Sequence, residues 1–103
     1  MSVDSAHASV VVCNPQGLHL RPAYLLAGAA ERFQSRVELI KDGERVDAKS
    51  ILSIVGLNAT EGTSLQIDAR GPDAEAAVGT LVELFRSGFP EATGDSAPSA
   101  SAR

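Results

Sequence analysis

From residue 8 onward the apolar positions change period several times, and each change predicts a new element. Ala8-Ser9-Val10-Val11-Val12-Cys13 is dominated by β-branched side chains and predicts a strand. From Leu20 to Phe33 the chain is rich in Leu and Ala, and Leu26, Ala30 and Phe33 recur at helical spacing. Arg36–Lys41 (RVELIK) predicts a second strand. The Asp42-Gly43 pair that follows is a two-residue hairpin signal returning the chain as Glu44–Ala48. Ser50–Val55 predicts a short apolar helix, with Gly56 as a left-handed cap. Thr63–Arg70 sets Leu65, Ile67 and Ala69 against polar neighbours, the alternation of a half-buried strand. Gly71-Pro72-Asp73 then opens a helix whose Ala74, Ala77, Val78, Leu81 and Phe85 share one stripe.

The predicted order is β-α-β-β-α-β-α. Strands that alternate faces and helices with a single apolar stripe predict an α+β fold, an antiparallel sheet with its helices on one face. The expected domain runs from residue 7 to residue 89. Residues 1–6 are expected to be loose. Residues 90–103, rich in Ser, Ala and Pro, are expected to form a disordered tail, because they offer almost no large apolar groups to offset ordering entropy.

Composition narrows the function classes. At 103 residues the chain can build one modest core, and with three Phe, one Tyr and no Trp that core must be mostly aliphatic. A net charge of −4 argues against nucleic-acid binding, which normally needs a basic face. The single cysteine cannot form an internal disulfide. The apolar stretch around Ala23–Ala30 falls short of the roughly 20 residues that span a bilayer, so no membrane insertion is expected. No basic-then-apolar leader is visible, so the expected location is cytoplasmic and the Asn58-Ala59-Thr60 sequon carries no meaning.

The candidate chemistry lies in NPQGLHLRPAY, residues 14–24. If His19 is the N-cap and Leu20 the first helical residue, the first-turn amides have no internal carbonyl partner and the helix end carries partial positive charge. Pro22 fits that turn because its missing N–H costs no helical bond. The amides of Leu20 and Arg21 are left as donors beside an imidazole, and the Arg21 guanidinium adds a fixed charge suited to phosphate oxygens. Gly17 lets the chain turn into the helix with positive φ. A proline at 22 also disfavours helical dihedrals at Arg21, which predicts strain at Arg21 or an irregular first turn. An imidazole that is neutral near physiological pH can attack phosphorus and hand the group on. Neither a general base nor a metal cluster accompanies it, so the segment suits phosphoryl carriage with no metal and no cofactor. The competing reading is that His19 is a simple helix cap.

Ser5–Ala30 and Ala48–Thr60 contain no Asp or Glu. If they lie side by side they make a weakly cationic, partly apolar face on an acidic body, fit for acidic partners. Ser50 is expected to cap the short helix. Of Ile51, Leu52, Ile54 and Val55, one or two should be exposed, Leu52 first. His7, Lys41, Arg70 and Arg86 are expected on the surface, and Cys13 as an inert strand residue.

GLHLRPA (Gly17–Ala23), KSILSIVGL (Lys49–Leu57) and EGTSLQI (Glu61–Ile67) resemble HPr, the histidine-containing phosphocarriers of the phosphoenolpyruvate-dependent phosphotransferase system. The resemblance covers about residues 7–88. It implies an open-faced β-sandwich, a four-stranded antiparallel sheet covered on one face by three helices. It implies a monomeric carrier in which His19 accepts phosphate from phosphorylated enzyme I and passes it to enzyme IIA components, with Arg21 steadying the group. Ser50 falls on the family's regulatory serine, the target of HPr kinase/phosphorylase where that enzyme exists. Lys49, Ile51 and Leu52 fall in the docking patch. The extension after Phe89, and Ser53 and Ile54 in the second motif, depart from the family and bear on partner choice. Two rival readings stand beside this one. The first is a regulatory interaction module read out through Ser50 without sugar transport. The second is an acylphosphatase-like hydrolase, which would need an asparagine such as Asn58 working with Arg21.

Overall fold

A computed structural model describes residues 4–89. The described chain contains β1 (Ser5–Val11), α1 (Leu20–Glu31), β2 (Arg36–Lys41), β3 (Glu44–Asp47), α2 (Ile51–Gly56), β4 (Ser64–Arg70) and α3 (Ala74–Ser87). The predicted order of seven elements is the observed one. The disordered tail expected at 90–103 lies outside the described residues, as do residues 1–3.

The four strands form one antiparallel sheet in the order β1-β4-β2-β3. Because β4 pairs with both β1 and β2, those two run parallel with β4 between them, and α1 makes the crossover. Register decides which side chains face the helices. Ala8, Ile67, Leu39 and Val46 share one cross-strand row, and Val10 pairs with Leu65. These positions supply the sheet's half of the core with Val12, Val37 and Ala69, and α1 and α3 supply Leu26, Ala30, Ala77, Leu81 and Phe85. The opposite face is polar: His7, Asp68, Glu38 and Asp47 form a row, and Arg45 binds Glu38 at 2.7 Å and Asp68 at 3.2 Å. One face is dry and the other wet, as in an open-faced sandwich.

Local chemistry explains the boundaries. Asp42 and Gly43 both have positive φ, 50° and 84°, which a primed two-residue hairpin turn requires. The predicted stripe of α3 is buried at all five positions. Burying each of its larger side chains contributes about 1.5–3 kcal/mol. Its C-terminus closes in a Schellman motif. The Phe89 amide donates to the Leu84 carbonyl at 3.1 Å and the Gly88 amide to that of Phe85 at 3.2 Å, with Gly88 at φ 76°.

Several expectations are corrected. β1 starts at Ser5, so Ser5 and Ala6 are not loose; they pair with Arg70 and Ala69. It ends at Val11, leaving Cys13 outside the strand and exposed, its thiol 3.5 Å from the Val11 carbonyl. α1 stops at Glu31, where i→i+3 bonds from Arg32 to Ala29 (3.2 Å) and Phe33 to Ala30 (3.1 Å) tighten the last turn. Gly56 is the last residue of α2 and does not take the left-handed conformation; Asn58 does, at φ 55°. Lys41 is not plain surface charge: its Nζ reaches the Leu57 carbonyl at 2.9 Å and the Asn58 carbonyl at 3.4 Å, satisfying the end of α2.

Candidate functional site

The loop from β1 to α1 is built on a turn. Asn14-Pro15-Gln16-Gly17 closes with the Gly17 amide on the Asn14 carbonyl at 2.9 Å, Pro at the second position and Gly at the fourth. The Asn14 side chain adds a second tie, Nδ2 to the Gly17 carbonyl at 2.8 Å, and its Oδ1 is buried without a partner. Gly17 has φ 71°, and a Cβ there would run into the Ala59 carbonyl oxygen. Leu18 then donates to that same carbonyl at 2.9 Å. These contacts bring Ser5–Ala30 beside Ala48–Thr60, so the two segments without acidic residues do adjoin.

His19 emerges from the loop as the N-cap of α1, in extended conformation, with its side chain exposed and making no capping hydrogen bond. The simple-cap reading therefore loses its physical basis. Leu20 begins the helix, and the turn through Arg21 and Pro22 is helical despite the proline. Ala23 is the first residue whose N–H reaches back, to the His19 carbonyl at 3.1 Å. The amides of Leu20 and Arg21 precede that bond, and the first turn of α1 carries no acid. The imidazole stands at the positive end of a twelve-residue helix.

Arg21 is half-buried, and its Nη2 donates to the Phe89 carbonyl at 3.3 Å. A shallow cavity of about 250 Å³ gathers Asn14, Gln16, His19, Arg21, Gly88 and Phe89. A wider apolar groove of about 990 Å³ runs between α1 and α3 past Gly28 and Gly79, and neither His19 nor Arg21 lines it. His19 and Arg21 therefore share the smaller cavity at the start of α1 and the end of α3.

Ser50 caps α2, its Oγ accepting from the Ser53 amide at 3.2 Å. Leu52 is 81% exposed, Val55 is also exposed, and Ile54 is buried. Ile51 is half-buried. Lys49 is anchored, with Nζ on the Phe33 carbonyl at 2.9 Å beyond the end of α1. Asn58, which a hydrolase would need near Arg21, sits at the end of α2 with its carbonyl held by Lys41. Reading the sequence missed Asn14, Phe89, and the exposed Leu20 and Tyr24 side chains on α1. Asn14 was detectable, because Asn-Pro-x-Gly is a turn signature. Phe89 was not, since its role depends on a contact 68 residues distant.

Comparison with known proteins agrees with this geometry. A family model described as "PTS HPr component phosphorylation site" matches residues 6–87. The phosphocarrier protein HPr of Treponema pallidum is 41% identical over 83 residues, covering 81% of this chain and 94% of the relative. The phosphocarrier protein NPr of Escherichia coli K12 is 33% identical over 84 residues, covering 81% and 93%. Among solved structures, HPr-C-His from Thermoanaerobacter tengcongensis superposes with a TM-score of 0.79 at 37% identity, covering 82% of this chain and 94% of that one.

Proposed function

The chain belongs to the PTS HPr family, phosphocarriers of the phosphotransferase system, and on that premise we propose that His19 is its phosphoryl acceptor. The observation carrying this reading is the exposed imidazole with no capping role at the N-terminus of α1. A neutral ring nitrogen gives its lone pair to phosphorus while the bond from phosphorus to the donor breaks, its electron pair staying on the donor. Running the same exchange in reverse passes the group to the next acceptor. The Leu20 and Arg21 amides and the Arg21 guanidinium receive the phosphoryl oxygens.

Phosphorylated enzyme I is the proposed donor and an enzyme IIA component the proposed acceptor, with the carrier working as a cytoplasmic monomer. It is consumed and regenerated by its partners and turns over no substrate itself. Docking falls to the surface made by Leu20 and Tyr24 on α1 with Lys49, Ile51 and Leu52 at α2. Among the described residues no helix is long and apolar enough to cross a membrane.

Ser50 is the proposed regulatory position. Its Oγ caps α2, so a phosphate there would meet a helix N-terminus, yet it would place about −1.5 to −2 of charge where acidic partners approach. HPr kinase/phosphorylase is the proposed modifying enzyme where it is present. Incubation with enzyme I and phosphoenolpyruvate, and separately with ATP and HPr kinase, tests the two sites: the first should modify His19 alone, the second Ser50 alone. Modification of neither by its partner removes the reading.

A further inference from the structure

At one end of the sheet's open face, three arginines stand against two carboxylates. Arg45, on β3, reaches over β2 and pairs with Glu38 at 2.7 Å and with Asp68 on β4 at 3.2 Å. One guanidinium thus engages both acids. Arg70, its side chain 73% exposed, has Asp68 only at 4.0 Å, and on the same oxygen that Arg45 holds. Arg36 is exposed and has no acid within ion-pair distance among the described residues. Register nevertheless sets Arg36 directly opposite Arg70, where β2 begins and β4 ends. Like charges placed opposite one another destabilise an antiparallel pair, so the fold itself gives no reason for this one. The five side chains line a shallow cavity of about 260 Å³. Three guanidiniums against two carboxylates leave it one surplus positive charge, on a chain whose net charge is −4.

We propose that Arg36 and Arg70 form a second anion site, which takes the phosphate group of a small phosphorylated molecule. Cβ atoms of directly opposed residues lie about 5 Å apart, so two guanidinium forks can close on one anion. A carboxylate fills one fork with its two oxygens. A phosphate monoester offers three oxygens and carries close to two negative charges at neutral pH, enough for both forks. Seated there, it replaces a repulsion between guanidiniums with charge-assisted hydrogen bonds to each. Glu38 and Asp68 border the seat and confine an anion to the end where the two arginines stand. The site is separate from His19. Arg36 and Arg70 alternate with the buried Val37 and Ala69, so they stand on the face away from the helices. Arg70 pairs with Ser5 at one end of β1, whereas the His19 loop leaves from the other end, about 20 Å of strand away.

The test follows the arginine Nε–H resonances of the full chain by NMR during titration with glucose 6-phosphate, inorganic phosphate or glucose. Glucose 6-phosphate should shift Arg36 and Arg70 along a saturating curve, and glucose should shift neither. Equal affinity for inorganic phosphate identifies the free anion as the ligand, and weaker binding identifies the monoester; both support the site. Arg36→Gln and Arg70→Gln, at exposed positions where folding is not at stake, should each weaken binding about tenfold. His19→Ala should leave the Arg36 and Arg70 shifts unchanged, which keeps this inference independent of the proposed function. A linear shift shared with Arg32 and Arg86, also exposed, would show only general attraction between charges and overturn the inference. Wild-type affinity in both glutamine variants would overturn it too.

Discussion

The hydroxyl of Ser35 donates to a carboxylate oxygen of Asp73, and the Asp73 amide donates back to the same hydroxyl at 3.2 Å. The Ser35 and Gln34 amides add bonds to the carboxylate at 2.9 and 3.0 Å, and Gly71 packs against the serine. This ring ties the turn after α1 to the start of α3. It fixes the relative placement of the two helices whose opposite ends form the His19 cavity. Ser35 is 1% exposed, so Ser35→Ala strands buried hydrogen-bonding groups and should destabilise the fold by about 1–3 kcal/mol in urea denaturation.

The same ring sets a pH dependence. The Ser35 hydroxyl, then the Gln34 amide, hold the Asp73 carboxyl below its ordinary value of 3.8. A carboxyl depressed on folding contributes stability that is fully present above its unfolded value and lost as pH falls through the folded one. Stability should therefore decline more steeply below pH 3.8 in the wild type than in Asp73→Asn. Parallel urea midpoints for the two proteins across that range would remove the assignment.

Gly17 should tolerate no side chain. Its positive φ and its approach to the Ala59 carbonyl both exclude a Cβ, so Gly17→Ala is expected to cost about 1–3 kcal/mol and to displace the His19 loop. Thermal unfolding reads the first effect. A drop in His19 labelling by phosphoramidate, measured where the variant is still folded, reads the second.

Much of this fold was legible because its signals are local. The Leu65, Ile67, Ala69 alternation, the Asp42-Gly43 turn and the stripe of α3 each depend on neighbours a few residues apart. The failures share a cause. Ser5 and Ala6 carry little strand propensity and join β1 only because β4 offers a ladder. Gly56 had the right residue type for a cap, but the left-handed turn falls two residues later, at Asn58, and Lys41 from β2 binds the Leu57 and Asn58 carbonyls there. At the site, His19, Arg21 and Gly17 could be read from one heptapeptide, whereas Phe89 enters only through tertiary packing.

Leu52 offers a way to separate docking from chemistry. At 81% exposure its truncation should change stability by less than about 0.5 kcal/mol. Leu52→Ala should label with phosphoramidate at the wild-type rate yet accept phosphate more slowly from enzyme I. Equal slowing with both donors would place the defect in the site and not in the docking surface.

The central claim is tested by mass spectrometry after incubation with enzyme I and phosphoenolpyruvate. The wild-type chain should gain about 80 Da, one phosphoryl group, in a form lost in acid and kept in base. His19→Ala, folded by circular dichroism, should gain nothing. A full-size, acid-labile adduct on that variant would contradict the account.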